Sequence, residues 1–596
     1  MGKKSKSQKP APVMKQADKI RNQAEESPKS QVKKSKARAS IYWNKKAIIE
    51  FFLFSVIIVV VGYLFYMPAK NFDLVFCDDN IFVLDYAQVN QNIDNIPKAF
   101  DKTIGTSYYR PILAISFILD AQTAGTKPWI YHQTNVLLHI LGSLLVFIFL
   151  VKIGFPRIMS FIFGMIFALH PILTPAACWI SGRNDSLITV FILLFFIFLI
   201  LFLDNKKWYS WLFYLLNIIA FAFALFTKEI AAMIPFVSFM YILFYRQENK
   251  GAARDLWTFL KPYMKAVGML GLYFVIIPKE KRREEFERSQ ESMKPFWLGF
   301  KKGMLNVKTS VIYITWFLIG LKWWSMRMSA LEGIQNPDTI GFDALIKNFP
   351  TVPAMFGKIF LPVKMIALSS LEPFSIYTGI ALMIIIAVLA LFLKNVNKSN
   401  TLFGFFWFVI FLFPTLMVRI VYVDDFFDYA EHRAYLAMVG VIIIVMEIVR
   451  SFKVDFHKPL PIIISLIIIG AFFVRSYVYM PKFENRKTFW TQMIDMYPYK
   501  SRGYLDLGKA YYVEGDLTTA EKLYYKGVER NPDNFNLYID LSAVYMRRSI
   551  YAKAEQFARK AVSLDKGNSI ANYNLGKALM MQNKTAEALE PLETAC

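Results

Sequence analysis

Long apolar runs recur along the first 480 residues, separated by short polar turns. A helix that crosses a bilayer needs about 20 mostly apolar residues. Runs of that kind lie at 47–67, 132–152, 157–173, 184–203, 208–226, 230–246, 257–277, 375–393, 401–418, 434–450 and 459–479. The pattern predicts an all-α fold, a polytopic membrane helical bundle of about 11 spans. Several runs are short, so neighbouring pairs can merge or be partly re-entrant. Residues 278–374 resist assignment. Residues 279–291 are charged and helix-prone, whereas 311–324 either cross or lie in the interface with a Trp pair as an aromatic belt. If 311–324 cross, a second crossing such as 344–362 must follow.

After residue 480 the pattern changes to that of a soluble helical repeat with a period near 34. The first unit places Tyr504, Leu507, Gly508, Tyr511, Ala520, Tyr524, Gly527 and Pro532. One period later come Tyr538, Leu541, Ser542, Tyr545, Ala554, Ala558 and Ala561, and then Leu575, Gly576, Leu579 and Ala588. Small residues where two helices touch, large ones in the gap and a closing Pro are the tetratricopeptide pattern. Such units bury their faces by stacking, which leaves a concave surface for a partner. The predicted organisation is therefore a basic tail over 1–46, a membrane domain over 47–480 and a repeat domain over 481–596.

Composition supports this division. The chain is 55% hydrophobic and 19% charged, with a mean hydropathy of +0.35. The net charge of +24 suggests nucleic acid until it is located: residues 1–46 hold fourteen Lys or Arg against three acidic residues. A disordered basic tail beside a membrane sets topology or touches anionic headgroups. The short turns 152–157, 205–207, 246–254, 394–398 and 450–458 also carry Lys or Arg, which places them with the tail in the cytoplasm. The repeats are then extracytoplasmic, and no nucleic-acid partner is expected. The three cysteines, Cys77, Cys178 and Cys596, have no metal spacing and form no disulfide framework.

Candidate chemistry gathers at the opposite side from those basic turns. Asp78 and Asp79 sit in the apolar stretch FCDDNIFVLDY, just past the first run. A solvated loop would also carry acids there, but a carboxylate in a low-dielectric pocket has a raised pKa and suits a general base. The same side supplies Arg110, Arg183, Lys228, Arg419 and Arg433. Arginine binds phosphate through two oxygens, and it also anchors span ends to headgroups. His132, His139 and His170 are expected to be packing residues, and no His/Asp/Glu cluster at ligand spacing points to a metal. No cofactor is expected, a divalent ion being left open. Charges are scarce inside the runs, which argues against a transporter.

Four places together resemble the transmembrane and tetratricopeptide-repeat O-mannosyltransferases of the GT-C superfamily and their bacterial relatives. They are Asp78-Asp79 with Ile81 to Leu84; Tyr109-Arg110-Pro111 with His132, Asn135 and His139; His170-Pro171 through Gly182-Arg183-Asn184-Asp185 with Lys228-Glu229; and Glu431-His432-Arg433-Ala434-Tyr435-Leu436. The resemblance implies an inverting glycosyltransferase that moves a mannose-like hexose from a polyprenyl-phosphate donor to Ser or Thr hydroxyls. It implies Asp78 or Asp79 as base, and Arg110, Arg183, Asp185, Lys228, Glu229, Arg419, Glu431 and Arg433 as residues that bind donor phosphate or acceptor. The repeats would present the acceptor protein. The Lys- and Ile-rich composition points to a bacterial inner membrane with periplasmic repeats, or to the endoplasmic reticulum in a eukaryote. Two rivals stay open: an enzyme of this class that modifies a lipid or glycan, and a membrane scaffold that uses only its repeats.

Overall fold

The structure, a computed structural model, describes residues 44–103, 108–245, 252–268, 277–295, 297–298, 306–332, 341–419 and 428–596. Most of the predicted tail, part of the 257–277 run and residues 420–427 lie outside the described residues. Contacts divide the chain into two units, one ending at Val56 and one running from Ile57 to Cys596. Among the described residues, the first unit holds the opening turns of the helix Lys45–Tyr66. Apart from that helix, everything below concerns the second.

The chain is an all-α integral membrane protein with a helical-repeat segment. Among the described residues, eight helices are long and apolar enough to cross a membrane: Lys45–Asn71, Pro128–Lys152, Ile180–Asp204, Ser210–Thr227, Pro373–Phe392, Lys398–Leu416, Glu431–Ser451 and Pro459–Phe483. A ninth is possible if the bent pair Arg157–Leu169 and Pro171–Cys178, which meet at 52°, is one span. The difference from eleven runs has local causes. The bend falls at His170-Pro171, where the ring of Pro171 removes a helical N–H. The run at 230–246 makes a helix of only 12 residues, Ile234–Tyr245, after a 3₁₀ turn. The run at 257–277 overlaps Ala252–Gly268, an amphipathic helix with a charged face.

The unassigned stretch contains a 24-residue helix, Val307–Ala330. At about 1.5 Å per residue it is long enough to span a hydrocarbon core. It lies along Ser210–Thr227. Lys308 donates to the Phe202 and Asn205 carbonyls at one end (3.0 and 2.7 Å), Trp316 donates to Asn217 midway (3.0 Å), and Arg327 reaches Glu229 at the other end (3.1 Å). Lys308, Lys322 and Arg327 break up its apolar character in the sequence. Thr351–Phe360 and Phe342–Asn348, in the region of the suggested 344–362 crossing, are too short to span.

Close crossings use glycine. A Cβ on Gly404 would lie 2.7 Å from the Gly440 carbonyl, and one on Gly440 would lie 2.5 Å from that of Gly404. Small residues at such a crossing let apolar helices pack where water gives no driving force. His139 packs as expected, between the Tyr435 hydroxyl (2.7 Å) and the Ala168 carbonyl (2.9 Å).

The repeat region forms three helix pairs: Ser501–Glu514 with Leu517–Arg530, Phe535–Arg547 with Tyr551–Leu564, and Ser569–Met580 with Thr585–Ala595. The predicted small positions Ala520, Ala554, Ala558, Ala561 and Ala588 are all fully buried. Gly508 is small because the Tyr524 ring lies against it. The helix Arg486–Met496, opened by a capping box at Asn485, joins the last span to the first pair.

Candidate functional site

The loop after the first span is held rigidly. Phe76 and Asp78 both have left-handed backbone, at φ 55° and 65°. Asp tolerates that region, whereas Phe does not readily adopt it, so the loop needs support. Asp79 supplies much of it. Its carboxylate accepts from the backbone N–H groups of Val75 (2.7 Å), Cys77 (2.9 Å) and Asn80 (3.0 Å), and the residue is 1% exposed. Two indoles brace the same turn: Trp490 donates to the Val75 carbonyl (3.1 Å) and Trp179 to that of Cys77 (2.9 Å).

The two aspartates therefore have different surroundings. Burial pushes the Asp79 carboxyl up to about 7, against the pull of its three backbone donors. Asp78 is exposed, and its carboxylate takes no part in bracing the turn. The protein mass around it still raises its pKa, and the opposing charge comes from Arg502 of the first repeat helix.

A second polar group assembles from helix ends. Arg110 precedes Pro111, which starts the helix Pro111–Ala124, so its side chain projects from that terminus. Its guanidinium grips Glu229 through Nε (3.3 Å) and Nη2 (2.9 Å) and lies over the Tyr108 ring. Arg327 contacts the same carboxylate at 3.1 Å. Burial alone would raise Glu229, but Arg110 and Arg327 outweigh it and hold the carboxyl at about 2. Lys228, in extended backbone between a span and a 3₁₀ turn, reaches Asp185 (2.7 Å) and Asn184 (2.8 Å). Asp185 stands in the first turn of its helix, where the macrodipole favours an acid, and its other oxygen is 3.5 Å from His432 Nε2. Arg433 is partly exposed, and Asp185, Tyr108 and Arg110 lie within its electrostatic reach.

Among the described residues, this cluster sets four cations, Arg110, Lys228, Arg327 and Arg433, against two carboxylates, Asp185 and Glu229. An excess of positive charge in a half-buried place is costly unless an anion joins it. The planar forks of three arginines suit phosphate oxygens.

Trp179 connects the two groups. Its N–H holds the Cys77 carbonyl while its ring meets His432 edge-on, with centroids 5.2 Å apart.

Three other candidates stand apart. Arg183 is fully buried, bound to Asp120 (2.5 Å), Asn135 (2.8 Å) and the Tyr131 carbonyl (2.9 Å). Glu431 is fully buried against Lys358 (2.5 Å) and accepts from the Ile366 N–H (3.2 Å). Arg419 pairs with exposed Asp343 (2.7 Å). Residues absent from the sequence reading also matter: Arg327, on a helix whose lysines and arginine mask it, and Trp179, Arg486 and Arg502, whose neighbours are distant in the chain. Among the described residues, no three His, Cys, Asp or Glu side chains gather as a metal would require.

No family profile matches the chain. It is 37% identical over 90 residues to protein O-mannosyl-transferase TMTC1 of Mus musculus and 40% identical over 86 residues to TMTC2 of the same organism. These matches cover 15% and 14% of this chain. It is 32% identical over 123 residues, 21% of this chain, to Tmtc1 of Drosophila melanogaster. The matched segments span about a tenth of the mouse proteins and 14% of the fly protein. A solved structure, that of MamA, matches 25% of this chain and 85% of its own at 17% identity, with a TM-score of 0.18. The likeness in sequence supports a relationship between this chain and the protein O-mannosyl-transferases.

Proposed function

We propose that the protein is a membrane glycosyltransferase that moves a mannose-like hexose from a polyprenyl-phosphate donor to Ser or Thr hydroxyls of extracytoplasmic proteins. The observation that carries this reading is a carboxylate left open on a rigid loop, Asp78, linked through Trp179 to a cluster with more cations than anions. The sequence likeness to O-mannosyl-transferases supports the same reading.

In this mechanism Asp78 takes the proton from the acceptor hydroxyl as its oxygen attacks the anomeric carbon. The bond from that carbon to the phosphate oxygen breaks, its electron pair leaves with the polyprenyl phosphate, and the anomeric configuration inverts. Arg110, Arg327, Lys228 and Arg433 meet the charge that develops on the phosphate, as preorganised charge does in other transfers. Asp185 and Glu229 orient those cations. Asp79 keeps the loop in shape and takes no proton. The basic tail lies in the cytoplasm and the repeats outside it, across a bacterial inner membrane or, in a eukaryote, the membrane of the endoplasmic reticulum.

The test is a glycoproteomic comparison of cells carrying the native protein with cells carrying Asp78→Asn at matched expression. Loss of a set of Ser- or Thr-linked glycans supports the proposal and identifies the sugar. An unchanged glycoproteome contradicts it, pointing to a lipid or glycan acceptor if membrane glycolipids shift and to a scaffold if they do not.

A further inference from the structure

Arg475, Val478, Tyr479 and Lys482 recur at helical spacing, so they form one stripe along the end of the last span and the 3₁₀ turn Met480–Phe483. The joining helix Arg486–Met496 sets Gln492, Asp495 and Met496 against that stripe, again at helical spacing. Between the two lies a half-open cleft of about 180 Å³. It stands where the span gives way to the soluble repeats, the level at which lipid headgroups meet water. In the same turns, Val474 and Tyr477 are exposed, as lipid-facing side chains are.

The lining is mainly hydrocarbon, which Val478, Met496, the Tyr479 ring and the stems of the two basic residues supply. The charged ends therefore stand at its rim. Arg475 is fixed there: Nε donates to the Pro362 carbonyl at 2.8 Å and Nη2 to that of Val363. This uses two of its five N–H groups. Lys482 is half-buried and Asp495 exposed, and among the described residues neither side chain has a hydrogen bond or ion pair. An apolar cleft at headgroup level, with two cations and one carboxylate at its rim, complements a phosphodiester that carries hydrocarbon on one side and a hydrogen-bond donor on the other. The volume is adequate, since a cavity of about 150 Å³ already admits benzene.

We infer that this cleft is a binding site for a membrane phospholipid. The glycerol end lies in the cleft, the phosphate meets Arg475 and Lys482, and Asp495 accepts from the headgroup. The carboxylate makes the site selective. An ethanolamine ammonium has N–H groups to donate, whereas the quaternary nitrogen of choline has none. The same walls brace the neighbouring loop: Gln492 donates to the Met365 carbonyl at 2.8 Å, beside the two carbonyls held by Arg475. A lipid seated here thus fastens the joining helix, and the repeats that follow it, to the end of the span. The inference is independent of the glycosyltransferase reading.

The experiment uses the full chain in detergent, washed free of loosely held lipid. It is titrated with phosphatidylethanolamine or phosphatidylcholine of matched acyl chains, and bound lipid is counted by native mass spectrometry. The native protein is expected to hold one phosphatidylethanolamine about tenfold more tightly than phosphatidylcholine, the size of one hydrogen bond to a charged group. Asp495→Ala is expected to erase that preference, and Lys482→Ala to weaken both lipids about tenfold. Arg475 is left intact because it holds two backbone carbonyls. Val478→Phe fills the cleft without touching a charge and is expected to lower binding as well, whereas Tyr477→Ala, outside the cleft, leaves it unchanged. Equal binding of the two lipids by the native protein, or unchanged binding in Lys482→Ala and Val478→Phe, overturns the site and leaves only the general lipid annulus. Displacement of the bound lipid by equimolar polyprenyl phosphate also overturns it, because the cleft would then belong to the donor.

Discussion

Trp179 donates its indole N–H to the carbonyl of Cys77 at 2.9 Å. With a second, longer bond from the Ser181 hydroxyl to the same carbonyl (3.3 Å), it ties the loop bearing Asp78 to the wall that bears His432 and Asp185. Trp179→Phe keeps the ring and removes the donor. It is expected to cost about 1 kcal/mol of stability and to lower kcat more than it changes either KM. Thermal unfolding and steady-state kinetics check both parts.

The two adjacent aspartates are expected to fail in different ways. Asp79→Asn cannot accept from three backbone donors with both oxygens, so the loop loses about 1–3 kcal/mol and the melting temperature falls. Asp78→Asn leaves the melting temperature unchanged. Equal melting losses in the two variants would remove the distinction drawn between them.

Arg433→Met is expected to raise the donor KM about tenfold with little loss of stability, because the side chain is partly exposed and faces the cationic cluster. Arg183→Met behaves oppositely. It strands Asp120 in the interior and costs about 3–5 kcal/mol, with the donor KM unchanged in whatever protein folds. Donor titration and denaturation of both variants provide the comparison.

Lys358 and Glu431 form a pair in which both side chains are essentially inaccessible. Lys358→Met leaves a lone buried carboxylate beside His432 and Arg433, and about 3–5 kcal/mol is expected to be lost. Lys358→Met with Glu431→Gln removes both charges and is expected to recover most of it. If the double variant is no more stable than the single, the pair does not act as a unit.

The pH dependence follows from Asp78. A general base works only when ionised, so kcat/KM is expected to fall as the pH drops through the pKa of Asp78. Its surroundings raise that pKa, so the acid limb lies above the usual carboxylate value of about 4. Arg502 pulls the other way. Arg502→Met therefore moves the limb to higher pH, which a pH–rate profile of the two proteins reads directly.

Much of this fold was legible because its patterns are local. A 34-residue period located Tyr524, Ala554 and Leu575 in their helix pairs without reference to the rest of the chain. Apolar runs located eight spans. Where length and composition disagreed, the pattern misled: Ile234–Tyr245 is apolar but short, and Val307–Ala330 is long but interrupted by charge. The candidate site was legible only as a set of residue types. Nothing in the dipeptide Asp78-Asp79 says that one carboxylate is consumed by three backbone N–H groups, since that depends on how the turn folds. Arg183 and Arg433 look alike in sequence. Only the buried position of Asp120 marks Arg183 as bound to the interior. Arg327 escaped notice because its helix did, and Arg486 because its partners lie on the first loop and in the repeats.

The measurement that bears most directly on the central claim is transfer of sugar from a polyprenyl-phosphate donor to a Ser/Thr peptide by purified native protein and by Asp78→Asn. Loss of a positioned base is expected to lower kcat about 10²–10⁴-fold while the donor KM stays within about twofold. Native kcat in Asp78→Asn would contradict the assignment of Asp78 as the base, and with it the reading of the loop and the cationic cluster as one active site.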